Sequence, residues 1–279
     1  METKQEIEFD TSRGFHLSGT LRVHPSFDDT EAVGDVHSTN NGVFLVCHGM
    51  LKSKESEVIK AITEGLPYST FALDFRGNGK SGGETHYGNY YEEVEDLRDT
   101  VVHLRTNYGL HIRGMVGYAK GGSVVLLYAA QYNDVPLIIN IGARYDLSRA
   151  PLHLFTDQQL RDLKDNGWFI WKKFGTNEDK DYIIREEDLI RRTETDMSVA
   201  SRIDKALVRV LTIHGNQDQV VPLEDALAYD HLLGPAPYHE LVMLESTHFF
   251  DTVKERERLI ESIKDWLQRQ LLDATADQL

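Results

Sequence analysis

The 279-residue sequence has a single cysteine, Cys47, so no disulfide bond can form within the chain. A chain without disulfides is typical of a reducing compartment. The sequence also lacks any apolar stretch of the roughly 20 residues that a membrane-spanning helix needs. No apolar run follows the charged residues within 1–14, which argues against a secretory signal. We therefore expect a cytoplasmic protein without a membrane span.

Positive charge is scarce as well. The chain has 30 lysine and arginine residues against 45 aspartate and glutamate residues, which gives a formal net charge of -15. Nucleic-acid binding depends on cationic side chains that neutralise phosphates, so we expect no nucleic-acid partner. One cysteine cannot build a thiolate metal site, and the histidines form no His-Glu-x-x-His motif. We expect no metal ion, and the sequence leaves the oligomeric state open.

The hydrophobic residues, 41% of the chain, suffice for a large core. They form short β-branched or apolar runs that alternate with longer amphipathic segments, which predicts an α/β fold with a mostly parallel eight-stranded sheet and helices on both faces. The strand-like runs are EIEFDT, FHLSGTLRV, VFLVCHG, STFALDF, RGMVGYA, PLIINIG, VRVLTIHG and HELVMLES. The helical segments are KESEVIKAITEGL, YYEEVEDLRDTVVHLRTNYG, GGSVVLLYAAQYN, PLEDALAYDHLL and VKERERLIESIKDWLQRQLL. No helix separates the first two runs, so we expect them to pair antiparallel.

Two segments interrupt this alternation. Residues 24–40 are polar and rich in Asp, Gly and Ser, which predicts a surface loop. Residues 145–204 show no strong strand pattern but carry aromatic residues among many charges, and they are too long for a loop without structure of its own. We predict that 145–204 is a cap inserted after the sixth strand, and that 1–144 and 205–279 form the core. One large domain without a separate insert is the alternative.

The stretch MVGYAKGG, residues 115–122, is typical of a strand that turns sharply into a helix around a nucleophile, yet its central residue is Ala119. Serine is a weak nucleophile at neutral pH, so it needs a histidine to accept its proton and a carboxylate to orient that histidine. Candidates for these two roles follow predicted strands: Asp218 in HGNQDQVVP and His248 in LESTHFF. Taken alone, each also fits an ordinary polar turn residue.

Five motifs together carry a family resemblance. They are HGMLKSK (48–54), DFRGNGKSGG (74–83), GYAKGG (117–122), HGNQDQVVP (214–222) and STHFF (246–250). With them the sequence resembles the α/β-hydrolase superfamily over nearly its whole length, and it is most similar to capped serine hydrolases, which include feruloyl and cinnamoyl esterases and serine-aminopeptidase-like lipases. The resemblance implies an esterase that needs no cofactor, with Ala119 in the position of the nucleophilic serine, Asp218 as the acid and His248 as the base.

The resemblance also implies an oxyanion hole, the pair of N–H groups that hold the negative oxygen formed during acyl transfer. In the family these groups come from the residue after the nucleophile and from the loop after the third strand. Here they are the backbone N–H groups of Lys120 and Met50. Because the role belongs to the backbone, we expect no function for the two side chains.

Ala119 has two explanations. The first is an engineered Ser→Ala change in an active hydrolase, and the retention of Asp218, His248 and the surrounding glycines favours it. The second is a natural lineage that lost its nucleophile and kept the pocket, either as a small-molecule binding protein or as a non-hydrolytic enzyme. Tyr118 leaves the second open, because many members of the resembling family carry histidine at that position.

Other polar residues are assigned structural roles. Asp74, Arg76 and Ser81 lie among glycines that mark tight turns, so we expect them to support the turn after the fourth strand. The basic pairs Lys172-Lys173 and Arg191-Arg192 lie in an acidic segment, and we expect both pairs to be solvated.

The expected ligand is a small ester or a related apolar or aryl compound. Specificity depends on the details of a site rather than on the fold, so the sequence does not identify the substrate. Aromatic residues in a charged insert must bury against something, and we predict that Trp168, Phe169 and Trp171, together with Tyr145 and Tyr118, form an apolar acyl or aryl pocket above Ala119. The alternative for the insert's aromatic residues is that they only anchor the cap to the core.

Overall fold

A computed structural model of the chain describes residues 3–25, 42–149, 152–171 and 181–276. Residues 26–40 of the predicted surface loop lie outside the described residues, as do Lys172 and Lys173. The strands, in chain order, are β1 (Thr3–Asp10), β2 (His16–Val23), β3 (Gly42–Cys47), β4 (Ser69–Asp74), β5 (His111–Tyr118), β6 (Leu137–Ile141), β7 (Trp168–Ile170), β8 (Ile183–Arg185), β9 (Arg209–Gly215) and β10 (His239–Leu244).

The helices lie between these strands and at the end of the described chain. They are α1 (Glu57–Gly65), α2 (Tyr90–Tyr108), α3 (Lys120–Tyr132), α4 (Asp157–Asn166), α5 (Glu186–Glu194), α6 (Leu223–Leu233) and α7 (Val253–Ala276), with short 3-10 helices at Leu152–Leu154 and Met197–Arg202. Left-handed residues end three of the helices, Gly109 after α2, Asn133 after α3 and Gly167 after α4. Glycine and asparagine are the residues that adopt this conformation at least cost. None of the helices in the described ranges is long and apolar enough to cross a membrane.

Eight of the strands form one sheet in the order β1-β2-β4-β3-β5-β6-β9-β10. β2 pairs antiparallel with β1 and β4, and the other neighbouring strands pair parallel. The mostly parallel sheet and its antiparallel start, both predicted from the sequence, are confirmed. β3 and β4 are buried along their whole length because they lie inside a sheet that is covered on both faces.

Helices pack on both faces of this sheet. Ile59 of α1 and Trp266 of α7 belong to the hydrophobic cluster on one face. Leu97 of α2, Val125 of α3 and Tyr229 of α6 belong to the cluster on the other face. The amphipathic segments identified in the sequence are therefore the two helical layers of the core.

The segment between β6 and β9 has structure of its own, as its length and composition predict. It contains α4, the β7–β8 antiparallel pair and α5, and it builds a separate hydrophobic cluster around Phe155, Phe169 and Trp171. Its two strands have only three residues each, too few for a recognisable alternation in the sequence. Leu147 and Met197, near its two ends, pack in the main core instead, and the division at 145 and 204 stays a prediction.

Candidate active site

Ala119 occupies the sharp turn between β5 and α3. Its backbone is strained, with φ 52° and ψ -117°, a conformation that costs a non-glycine residue about 1–3 kcal/mol. The chain crosses itself closely here: a Cβ on Gly117 would lie 2.2 Å from the carbonyl oxygen of Gly121, and a Cβ on Gly121 would lie 2.5 Å from that of His48. Glycine at both positions is what lets the backbone make this turn.

Asp218 and His248 meet at the carboxyl ends of β9 and β10. The Asp218 Oδ2 atom lies 2.6 Å from His248 Nδ1, while Oδ1 accepts hydrogen bonds of 2.8 Å from the backbone N–H groups of Val220 and Val221. Burial alone would raise the pKa of the Asp218 carboxyl, but the hydrogen bond from His248 and these backbone donors bring the pKa below its usual value. An ionised Asp218 keeps the proton on Nδ1, which leaves His248 Nε2 free to accept another.

Tyr118 positions the histidine as well as lining the site. Its hydroxyl donates a 3.0 Å hydrogen bond to the backbone carbonyl of His248, and the two rings lie 5.6 Å apart. Space for the imidazole comes from Gly142 at the end of β6, where a Cβ would lie 3.3 Å from the ring. The residues that hold His248 are therefore supplied by three different strand ends.

A cavity of about 190 Å³ brings the candidate residues together. Ala119 and His248 both line it, as do Met50, Lys120 and Tyr118. Asp218 lies behind His248, and its side chain is almost fully buried. A ligand in this cavity would therefore contact the Ala119 methyl group and the imidazole at the same time.

The Met50 N–H is oriented by the loop around His48. The carbonyl of Gly49 accepts hydrogen bonds from His48 Nδ1 at 2.7 Å and from the Lys52 N–H at 3.2 Å. Phe75 N–H donates to His48 Nε2 at 3.0 Å, which assigns the ring proton to Nδ1. Carbonyl and N–H groups of one trans peptide point in opposite directions, so the Met50 N–H points away from these partners. Met50 itself lines the cavity.

Lys120 supplies the second candidate donor, and its side chain corrects the expectation of no role. As the first residue of α3, it has a backbone N–H without an intrahelical acceptor. Its ammonium is buried and donates hydrogen bonds of 2.6 Å to Glu93 Oε1, on α2, and to Asn89 Oδ1, just before α2. Burial raises the pKa of the Glu93 carboxyl, and the charge of Lys120 opposes that rise. The side chain ties the turn at Ala119 to α2.

Three of the five predicted pocket residues do not line this cavity. Trp168 is 46% exposed, whereas Phe169 is buried against Phe155, with ring centroids 4.9 Å apart. Tyr145 is partly buried and packs against the core, with its ring centroid 5.2 Å from that of Tyr229. Trp171 is the residue of its run that reaches the cavity. The alternation of β7 puts Trp168 on the exposed face, opposite the face on which Phe169 and Trp171 are buried.

The structure adds cavity residues that the sequence analysis did not select. Tyr87, Tyr90, Arg144 and Arg192 all line the cavity. Arg144 follows β6 by three residues, so its position near a strand end was an available signal. Arg192 corrects the expectation of a solvated pair: its residue is 3% exposed, while the side chain of Arg191 is 50% exposed.

The polar residues after β4 support the turn, as predicted. Asp74 accepts hydrogen bonds from the Lys54 ammonium at 3.0 Å and from the Lys80 N–H at 3.0 Å. Ser81 donates to the Asp74 carbonyl at 2.5 Å, and the Arg76 guanidinium pairs with Asp96 at 2.8 Å. In the part of the chain that the structure describes, no group of three or more His, Cys, Asp or Glu side chains could hold a metal ion.

Solved structures share this architecture. An esterase of Butyrivibrio proteoclasticus, Est1E, solved with ferulic acid bound, superimposes with a TM-score of 0.72 at 19% identity, over 95% of this chain and 99% of that one. The esterase Pf2001 of Pyrococcus furiosus gives a TM-score of 0.69 at 18% identity, over 96% of this chain and 91% of that one. The α/β hydrolase GrgF of Penicillium sp. gives a TM-score of 0.70 at 18% identity, over 96% of this chain and 98% of that one. The fold is that of the α/β-hydrolases.

Sequence comparison identifies the family. The chain belongs to the serine aminopeptidase S33 family, Hydrolase_4, whose profile matches residues 38–217. A monoacylglycerol lipase of Mycolicibacterium smegmatis is 38% identical over 63 residues. That match spans 22% of this chain and 22% of the lipase.

Proposed function

We propose that the site is built for the hydrolysis of carboxylic esters by a serine, histidine and aspartate triad, and that this chain lacks only the serine oxygen. The observation that carries the proposal is the 2.6 Å bond between His248 and Asp218 beside a cavity that Ala119, at the strained turn, also lines. Esterases among the solved structures of the same fold, and the lipase that matches in part, support an ester as the substrate.

In the proposed reaction, a serine hydroxyl at position 119 attacks the ester carbonyl. His248 Nε2 accepts the hydroxyl proton and returns it to the leaving alcohol, while Asp218 keeps the imidazole in the required tautomer. The developing oxyanion is held by the backbone N–H groups of Met50 and Lys120. Water then attacks the acyl-enzyme with the same histidine as base, so no cofactor is needed.

The chain as it stands offers a methyl group where the reaction needs an oxygen. An enzyme of this class that loses a triad member retains about 10³–10⁴-fold catalysis over water, which comes from the oxyanion hole and substrate binding. We therefore expect very slow hydrolysis with ligand binding intact, because the cavity walls are unchanged. The engineered origin of Ala119 belongs to this proposal, since the partners of a serine are all retained.

Restoring the nucleophile tests the proposal. We expect Ala119→Ser to react covalently with a fluorophosphonate probe and to hydrolyse p-nitrophenyl esters. The matched control is the same variant with His248→Ala, which keeps the serine but removes the base and should neither label nor turn over. A folded Ala119→Ser protein that is inert toward the probe and toward a panel of short and bulky esters would contradict the proposal.

A second candidate is a small-molecule binding protein or a non-hydrolytic enzyme in which the alanine is native. Tyr118 favours it, because many members of the resembling family carry histidine at that position, so the chain departs from the family at two adjacent residues. This candidate requires the alanine form to bind, or to convert, a ligand that the serine form does not hydrolyse. Calorimetry and steady-state assays of both forms with lactone and β-keto compounds separate it from the esterase.

A further inference from the structure

The charge of the cavity lining is opposite to that of the whole chain. Lys52, Lys120, Arg144 and Arg192 line it, and no aspartate or glutamate among the described residues does. The chain as a whole has a formal net charge of -15. The cavity is therefore a local cationic site in an acidic protein, and the rest of its wall is mainly aromatic and aliphatic.

Counter-charges account for two of these cations. The Lys120 ammonium lies 2.6 Å from Glu93, and Arg144 Nε lies 3.9 Å from an Asp225 carboxylate oxygen. Arg144 also donates to the backbone carbonyl of Val220. These two side chains have acidic partners within the protein and need none from a ligand.

Lys52 has no acidic partner among the described residues either, but it is partly exposed to solvent, whereas Arg192 is buried. Its Nη1 atom donates to the backbone carbonyls of Leu147 and, at 3.1 Å, of Arg149, and its Cζ atom lies 5.9 Å from the ring centre of Tyr87. Within the described ranges no carboxylate forms an ion pair with it, although the residue is 3% exposed. Carbonyl groups and a ring face fix its position but do not neutralise it, and a buried charge without a counter-ion is unfavourable.

Two phenols lie on the same wall. Tyr87 and Tyr90 are both buried and both line the cavity. No hydrogen bond of either hydroxyl is present within the described part of the chain, and burial raises the pKa of both, so both keep their protons. A guanidinium and two neutral O–H donors on one wall are suited to an anionic group with several acceptor oxygens.

We infer that the cavity takes an ester that also carries a free carboxylate, such as a half-ester of a dicarboxylic acid, and that Arg192 binds this carboxylate. That the ligand is an ester rests on the proposed function. That it also carries a carboxylate rests on Arg192. The carboxylate supplies the missing counter-charge, while the apolar wall around Trp171 and Leu154 packs against the carbon chain.

A matched pair of ligands tests this without any turnover. Monomethyl adipate and dimethyl adipate differ by one methyl group and one charge, and each can be titrated by calorimetry into the chain as it stands, where Ala119 prevents rapid hydrolysis. We expect the half-ester to bind about tenfold more tightly or better. Nonspecific electrostatics act in the opposite direction, because the protein as a whole is acidic and repels an anion.

The neighbouring arginine provides the control variant. Arg192→Met should remove the preference for the half-ester, whereas Arg191→Met, one residue earlier on α5 and outside the cavity lining, should keep it. Equal or tighter binding of the diester by the unmodified chain would overturn the inference, and so would no binding of the half-ester at all. Retention of the preference in a folded Arg192→Met protein would also overturn it.

These results are separable from the test of the esterase. If Ala119→Ser were inert but the unmodified chain preferred the half-ester through Arg192, the catalytic proposal would fail and the carboxylate site would stand. If Ala119→Ser hydrolysed neutral esters and the calorimetric preference were absent, the carboxylate site would fail alone. The ligand pair on the unmodified chain keeps the inference falsifiable even if Arg192→Met does not fold.

Discussion

At the scale of single residues, the proposed triad of position 119, His248 and Asp218 lacks one oxygen atom. Ala119 keeps the backbone conformation of the turn, and His248 keeps both its carboxylate partner and the hydrogen bond from Tyr118. The turn retains its strain, of about 1–3 kcal/mol, although alanine contributes no chemistry. This combination is why restoring a serine is expected to restore activity without further change.

Asp218 has a role that a substitution can isolate. Its lowered pKa means that the carboxyl is ionised at neutral pH and becomes protonated only as the pH falls through that lowered value. In the Ala119→Ser background, we expect Asp218→Asn to lower kcat by about 10⁴-fold, because an amide can hold the imidazole in the wrong tautomer. The measurement is steady-state hydrolysis of a p-nitrophenyl ester at pH 7.

A second aspartate and histidine pair gives the control. Asp230 lies 3.3 Å from His239 Nδ1, and neither residue lines the cavity. Asp230→Asn should leave kcat unchanged in the same background. A loss in Asp218→Asn no larger than that in Asp230→Asn would show that Asp218 does not act on the reaction.

At the scale of elements, the turn is anchored by a contact between two helices. The Lys120 ammonium at the start of α3 reaches Glu93 on α2, and their side chains are only 4% and 3% exposed. Such a pair contributes little net stability compared with apolar residues, but breaking it leaves an uncompensated buried charge. The pair thus makes the geometry of the turn dependent on the packing of α3 against α2.

This dependence predicts that the effects of Lys120→Met and Glu93→Gln on the free energy of unfolding do not add. Lys120→Met should lower the free energy of unfolding by about 3–5 kcal/mol, because Glu93 is left buried without its partner. Adding Glu93→Gln should recover most of that loss. Urea unfolding of the single and double variants provides the measurement.

An exposed ion pair provides the comparison. Lys60 pairs with Glu55 at 3.0 Å, and both side chains are largely in solvent. Lys60→Met should cost less than about 1 kcal/mol, as is usual for surface pairs. If Lys120→Met were as mild as Lys60→Met, the buried pair would not anchor the turn.

At the scale of the whole molecule, the candidate site lies where the carboxyl ends of parallel strands meet the segment between β6 and β9. β5, β9 and β10 lead into Ala119, Asp218 and His248, while the segment between β6 and β9 contributes Leu154, Trp171 and Arg192 to the same cavity. Open α/β sheets bind ligands at this end of their strands. The sheet thus carries the proposed catalytic residues, and the segment between β6 and β9 adds Leu154, Trp171 and Arg192 to the wall.

This division predicts which tryptophan sets specificity. In the Ala119→Ser background, Trp171→Phe should enlarge the cavity and raise the ratio of kcat/KM for bulky over short esters by about tenfold, the size expected for a change of a methylene or two in an apolar pocket. Trp168→Phe should leave the ratio unchanged, because Trp168 lies on the exposed face of β7. Melting temperatures show whether the variants stay folded.

The two variants also decide between a pocket role and an anchoring role for Trp171. Its ring lies 5.4 Å from that of Phe155, in the segment between β6 and β9, and 6.0 Å from that of Tyr87, just before α2, so it packs against both as well as facing the cavity. A uniform loss of activity across all esters, together with a lower melting temperature, would mean that Trp171 only anchors the segment. The same shift of selectivity in Trp168→Phe would contradict the predicted division.

The sequence by itself determined the sheet and the order of the candidate residues. All eight strands of the main sheet and all five helices expected around it are present, because their hydrophobic periodicity is a local property of 5 to 20 or so neighbouring residues. The positions of Ala119, Asp218 and His248 also followed from local signals, the glycines of the turn and the ends of β9 and β10.

Only the tertiary structure decided which side chains meet in the cavity. Tyr118 and His248 are 130 residues apart in the chain, and Lys120 and Glu93 are 27 apart. The local sequence does not distinguish the members of two pairs, Trp168 from Trp171 and Arg191 from Arg192. One member of each pair faces the interior because of where β7 and α5 pack against the core. That packing depends on contacts between elements distant in sequence, which no local periodicity contains.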